Sequence, residues 1–461
     1  MPLGIYISVP FCRTKCSYCN FASDVFSKSA YENYVRKVIE DIACSRASAA
    51  EVGGRLDAGG RLDLGGTFGV GETLQVTGTF DDKVDSVYLG GGTPSILEAS
   101  QLLRIFGSVR EQFAVTPDAE ITVECAPGTL TDSLIETLLR AGVNRVSLGV
   151  QSFVDREAQS VGRLHTRSTV IDEVARLRRS GLPNINIDLI AGLPHQTAES
   201  WTFSLNELIA MGAPHASVYM LEVDEDSRLG RELIAGGTRY HAHFVPDEAA
   251  TADFYVQACE TLHSAGIAQY EISNFARSVG HVVDSSRRGA VGTEWRREGA
   301  TTAGEDAGAA GLGWESRHNL KYWTRQPYLG FGVDAHSMLP AARDFATCEA
   351  LRFATPDSLD AYMNRAPFAV TAVSRRAAIE ETFFLGLRLN RGVDLDRLRA
   401  RFGNDAIAYD SVIAECLRDG LLEKRQSVIS LTTRGRLLSN EVFGRFLLYE
   451  APSPEISAPC Q

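Results

Sequence analysis

Short β-type runs alternate with longer amphipathic runs over the first 265 residues, and this alternation constrains the fold more than any other feature. Candidate strands lie at 5–9, 84–89, 119–124, 145–150, 184–189 and 216–221, and candidate helices at 30–43, 95–113, 131–141, 168–180, 198–211 and 249–265. Leu134, Leu138 and Leu139 have the spacing of a buried helical stripe, while Ile185, Ile187 and Leu189 alternate as a strand does. Repeated βα units predict an α/β chain with a mainly parallel sheet and helices outside, a partial or full (β/α) barrel. In such folds ligands sit beyond the C-terminal ends of the strands, so the residues just after each strand carry the functional reading. A composition of 44% hydrophobic and 23% charged residues is ordinary for a globular chain and excludes collagen, coiled coil and wholesale disorder.

Two tracts break the alternation. Residues 46–80 are rich in glycine and contain Gly53-Gly54-Arg55-Leu56-Asp57 and a near copy from Gly59, too few repeats to stack a core; the tract reads as a flexible insertion. Residues 279–314 have few large apolar groups and read as a second mobile insertion. These insertions interrupt a first domain at 1–375. After it, helices at 377–387 and 406–418, a hairpin from 421–423 and 428–431, and a helix from Thr433 suggest a small winged-helix-like domain over 376–450. The proline-bearing tail 451–461 is expected to be disordered.

The formal charge of -12 argues against a broad phosphate-binding surface, so no nucleic acid is expected as a partner; Arg434 and Arg436 read as a solvated face. No stretch approaches the roughly 20 apolar residues of a membrane helix, and residues 1–11 lack the basic start of a signal peptide. A cytoplasmic protein is expected. Nine cysteines, an odd number without a secretion signal, make a disulfide framework improbable.

Three of the nine form Cys12-x3-Cys16-x2-Cys19, directly after the first candidate strand. Thiolates are the ligands of iron-sulfur clusters, and three on one loop can hold three corners of a cubane, leaving the fourth iron open. Buried structural cysteines, or a zinc site completed from elsewhere, are the alternatives. A second signal, Tyr88-Leu89-Gly90-Gly91-Gly92-Thr93-Pro94, spans the end of a strand and the start of a helix; its glycines let backbone N–H and C=O groups approach a ligand. Glu124, Gln151, Arg163 and Asp188 stand at or soon after further strands. Each alone reads as a rim residue, but together they suit a polar nucleoside that carries a carboxylate, which Arg163 can pair.

The cysteine spacing, with Tyr18 before the last cysteine, resembles the radical S-adenosylmethionine (SAM) superfamily. That resemblance implies a [4Fe-4S] cluster on Cys12, Cys16 and Cys19, SAM chelating the open iron, and an electron donor whose reduction of the cluster cleaves SAM to methionine and a 5'-deoxyadenosyl radical. Tyr6-Ile7-Ser8-Val9-Pro10-Phe11-Cys12, the glycine motif, Glu124-Cys125-Ala126-Pro127, Gly149-Val150-Gln151-Ser152-Phe153 and the segment around Asp188 narrow it to the HemN/HemW branch. The resemblance runs from about Tyr6 to Leu438 and implies a partial (β/α) radical SAM barrel. It also implies SAM contacts from Tyr6, Gly91, Gly92, Thr93, Glu124, Gln151, Arg163 and Asp188.

Two features separate the members of that branch. The HemN dehydrogenases carry a further cysteine two residues after the third cluster ligand, where this chain has Phe21. The heme chaperones carry H-N-x-x-Y-W, which His318-Asn319-Leu320-Lys321-Tyr322-Trp323 matches in full. The implied function is a heme chaperone that delivers heme to acceptor proteins, with a homodimer possible. The alternative is an oxygen-independent coproporphyrinogen III dehydrogenase. On the chaperone reading His318 is the candidate axial ligand of heme iron, and Tyr322 and Trp323 are walls for the macrocycle.

Overall fold

The computed structural model describes residues 1–52, 83–278, 313–341 and 348–447. Most of the two expected insertions and the tail 451–461 lie outside the described residues. The first boundary moves: the helix expected at 30–43 runs Lys28–Val52, so residues 46–52 continue it.

All six expected strands form: β1 (Leu3–Val9), β2 (Lys83–Gly91), β3 (Ala114–Cys125), β4 (Arg145–Gln151), β5 (Ile185–Ala191) and β6 (His215–Met220). Six further strands follow: β7 (Ile267–Gln269), β8 (Asn274–Arg277), β9 (Tyr328–Phe331), β10 (His336–Pro340), β11 (Cys348–Ala354) and β12 (Ala369–Ser374). The chain divides into two compact units, one of Met1–Arg13, Phe21–Ile121 and the chain from His318 onward, the other of Thr14–Asn20 and Thr122–Arg317.

In the first unit the strand order is β12-β11-β10-β9-β1-β2. β1 runs parallel to β2 and β9, and β9 to β12 are antiparallel neighbours. Leu3, Ile5, Ile7 and Val9 of β1 are fully buried, each contributing roughly 1.5–3 kcal/mol of apolar burial. Among the described residues, the chain from Arg375 builds five α-helices, Arg375–Gly386, Leu395–Phe402, Asp410–Arg418, Thr433–Leu437 and Ser439–Arg445, and a three-stranded sheet. That sheet places β15 (Val428–Leu431) between β13 (Val393–Asp394) and β14 (Leu422–Arg425). The two expected helices, the hairpin and the helix from Thr433 are present, and Leu395–Phe402, Ser439–Arg445 and the strand Val393–Asp394 are additional; Leu395–Phe402 starts where Asp394 caps the N–H groups of Asp396 and Arg397.

In the second unit the end of β3 leads the order β3-β4-β5-β6-β8-β7, parallel from β3 to β6. The helices Asp132–Arg140, Arg167–Arg179 and Ala198–Ala210 follow successive strands. Each begins at a threonine (Thr131, Thr166, Thr197) whose hydroxyl accepts from the third helical N–H, a cap typically worth about 1 kcal/mol.

Candidate functional site

The loop Thr14–Asn20 of the second unit carries Cys16 and Cys19. It is tied down at several points: the Ser17 N–H donates to Val161 O at 3.1 Å, the Leu229 N–H donates to Ser17 O at 2.8 Å, and Thr14 Oγ1 donates to Gly162 O at 3.0 Å. Tyr18 packs on the apolar cluster of Val161, Ile190 and Leu193. Burial, and then the neighbouring Cys16 thiol, push its hydroxyl well above the usual tyrosine range, so the ring stays neutral. Arg163 donates to the Gly149 carbonyl and to Cys16 Sγ at 3.7 Å.

Beyond β4 and β5 the same unit presents polar groups. Gln151 closes β4 at a register shift with φ 71°, a left-handed conformation that costs roughly 1–3 kcal/mol for a residue with a Cβ. Its Oε1 is buried and accepts no hydrogen bond. Strain and an orphaned acceptor at a strand's C-terminal end are what a polar ligand would compensate. Asp188 accepts from Ser147 Oγ at 3.1 Å and from Asn186 Nδ2 at 2.6 Å, and burial holds its carboxyl above the usual range. Glu124 is half-buried at the end of β3. Beside Arg163, His165 is buried, with a pKa lowered to about 4 by desolvation and then by that guanidinium.

The first unit holds Cys12 against the glycine turn. The Gly92 N–H donates to Val9 O at 2.8 Å and the Thr93 N–H to Phe11 O at 2.7 Å, while Thr93 Oγ1 donates to Cys12 Sγ at 3.7 Å. A Cβ on Gly92 would stand 2.8 Å from the Val9 and Phe11 carbonyls and 3.0 Å from Cys12 Sγ, and Gly91 has φ 101°. Both positions require glycine, for close approach and for backbone sign respectively. Cys12, Cys16 and Cys19 are all free thiols. The free thiols, their donors and the glycine cradle fit the chemistry of iron-sulfur cluster ligands.

A cavity of about 250 Å³ lies in this unit, its wall running from Gly91 and Gly92 past Tyr6 and Phe21 to Tyr322, Tyr328 and His336. Tyr322 and Tyr328 meet edge to face with centroids 4.6 Å apart. The segment His318 to Trp323 forms the helix Arg317–Trp323, but its members have different surroundings from those expected. His318 is 1% exposed, and both ring nitrogens are engaged: Nδ1 with Ser86 Oγ at 3.0 Å and Nε2 with the Tyr322 hydroxyl at 2.8 Å. Burial and then Lys321 lower its pKa to about 3, so the ring is neutral, with one N–H and one lone pair, both in use. As an axial ligand His318 would have to break one of these bonds; as placed, it positions Tyr322. Trp323 does not line the cavity, and Arg388 lies over its ring at 4.3 Å. Lys321, 2% exposed, fixes the helix through Asp85 Oδ1 at 2.6 Å and Pro2 O at 2.8 Å.

Sequence reasoning did not single out Ser86, Lys321, Asp334 or His336. The side-chain alternation along β2 could have paired Ser86 with a buried polar partner, but nothing local marks the others.

A model of the radical SAM superfamily matches residues 6–208, and one of the HemN C-terminal domain matches residues 373–438. The chain is 30% identical to the heme chaperone HemW of Bacillus subtilis (strain 168) over 444 residues, 96% of this chain and 98% of the relative. It is 29% identical to the heme chaperone HemW of Lactococcus lactis subsp. lactis (strain IL1403) over 452 residues, 97% and 98% of the two chains. Among solved structures, the radical SAM enzyme coproporphyrinogen III oxidase (HemN) from Escherichia coli superposes with a TM-score of 0.70 at 23% identity, covering 96% of this chain and 90% of that one. This last likeness shows the fold.

Proposed function

Because the chain belongs to the HemW family of radical SAM proteins, we propose that it is a heme chaperone, binding heme and passing it to acceptor proteins. The observation that carries this reading is near full-length similarity to proteins named heme chaperones. Phe21, where the dehydrogenases carry a further cysteine, supports it. No helix of the described residues is long and apolar enough to cross a membrane; we place the protein in the cytoplasm, with an electron donor to the cluster and a homodimer as further parts of the proposal.

Cys12, Cys16 and Cys19 would hold the [4Fe-4S] cluster, and SAM would bind beside it. When bound, these cofactors would supply one-electron chemistry. Tyr6, Gly91, Gly92 and Thr93 offer backbone groups and an aromatic edge to the methionine portion of SAM. Arg163 and the orphaned Gln151 oxygen orient its charged ends, and Glu124 and Asp188 accept from amino or hydroxyl groups. Heme, the cargo, rests against Tyr322, which His318 holds in place. The test is anaerobic reconstitution followed by parallel assays with heme and coproporphyrinogen III. Heme binding without decarboxylation supports the chaperone; conversion to the divinyl product without heme binding replaces it with the dehydrogenase.

A further inference from the structure

The cavity of the first unit contains one imidazole with no structural task. His336, the first residue of β10, lines it together with Tyr6, Phe21, Tyr322 and Tyr328. Its side chain is 67% exposed, so unlike His318 it supports no core. One nitrogen, Nε2, lies 3.7 Å from Asp334 Oδ1, and among the described residues Nδ1 meets no hydrogen-bond partner. Asp334 is itself fixed, its N–H donating to Pro356 O at 2.8 Å with φ 54°. A carboxylate facing one ring nitrogen with the other left open is the arrangement in which metal-binding histidines are oriented. An exposed pair of this kind adds little to folding, about 0–1 kcal/mol, so stability does not explain it.

The walls match the same purpose. Tyr322 and Tyr328 present aromatic surface that suits a flat macrocycle, and Phe21 leaves 61% of its surface exposed at the rim. A volume of about 250 Å³ is below the roughly 300–1,000 Å³ of enclosing ligand pockets. It takes one edge of a porphyrin and leaves the rest open, as cargo to be handed on requires. Resting on the heme reading above, we propose that His336 is the axial ligand of the heme iron, oriented by Asp334, with Phe21, Tyr322 and Tyr328 against the macrocycle.

The experiment titrates ferric heme into the reconstituted full chain and its His336→Ala variant, following the Soret band and the electron paramagnetic resonance of the iron. Because His336 is exposed, the variant should fold normally. Its affinity should fall by at least about tenfold, no less than an outer-shell loss costs a metal site, and the imidazole-ligated spectrum should disappear. Added imidazole should restore that spectrum by occupying the vacated position. A variant matching the wild type in affinity and spectrum overturns the assignment while leaving the heme reading intact. A wild-type protein that binds no heme overturns both.

Discussion

Replacing His318 with alanine separates a positioning histidine from a ligand. The imidazole bridges Ser86 and the Tyr322 hydroxyl at 3.0 and 2.8 Å, in a site where Ser86 is fully buried. The loss removes two hydrogen bonds worth about 1 kcal/mol each and leaves a buried hydroxyl with a penalty of about 1–3 kcal/mol. A destabilisation of about 3–5 kcal/mol follows, before any cost of the space left behind. Urea unfolding read by tryptophan fluorescence measures it, with heme titration of the folded variant alongside. The variant should have a lower midpoint and bind heme more weakly, because Tyr322 is no longer fixed, yet bound heme should keep the wild-type ligation spectrum. An unchanged midpoint together with loss of that spectrum would refute this reasoning and make His318 the ligand.

Gly92→Ala places a methyl group against two carbonyls and the Cys12 sulfur; iron content after reconstitution should drop, and the apo-protein should lose about 1–3 kcal/mol by overpacking, both measurable on one preparation. Lys321→Met leaves Asp85 without its cation. The expected cost is about 3 kcal/mol, the low end for a buried pair because Asp85 is 27% exposed, and the urea midpoint should shift accordingly. His165, His215 and His318 have folded pKa values below the ordinary 6.5, through burial first in each case. Below pH 6.5 the unfolded chain therefore binds protons that the folded one refuses, and stability is lost as pH falls through that window. At pH 5.5 His165 and His318 each cost about 1.4 kcal/mol, about 3 kcal/mol together, and His215 adds to the loss in the same direction. Unfolding midpoints at pH 7.5, 6.5 and 5.5 check the trend, and a flat response would contradict it.

The six βα strands were legible because their central residues are β-branched or apolar and buried, as Ile5, Ile7 and Val9 of β1 show. β9 to β12 were not, for reasons visible in their residues. β9 is four residues with a glycine, and β11 carries Glu349 and Arg352, whose charges are matched by Arg375 and Glu381 from the following helix. Its place in the sheet comes from its ladders with β10 and β12, not from a local signal. At the site, the cysteine spacing and the glycine turn could be read locally, since contiguous residues carry them. The task of His318 could not: it depends on Ser86, 232 positions away. Neither could His336, whose significance comes from the cavity it lines rather than from its neighbours in sequence.

The central claim is that this chain carries heme in order to release it. The most direct measurement loads the reconstituted protein with ferric heme, mixes it with an apo-protein that binds heme, and follows the Soret bands of donor and acceptor over time. Stoichiometric loading followed by transfer faster than the release of heme to free buffer is the predicted result. Heme that never binds, or that leaves no faster with the acceptor present than without it, would contradict the account.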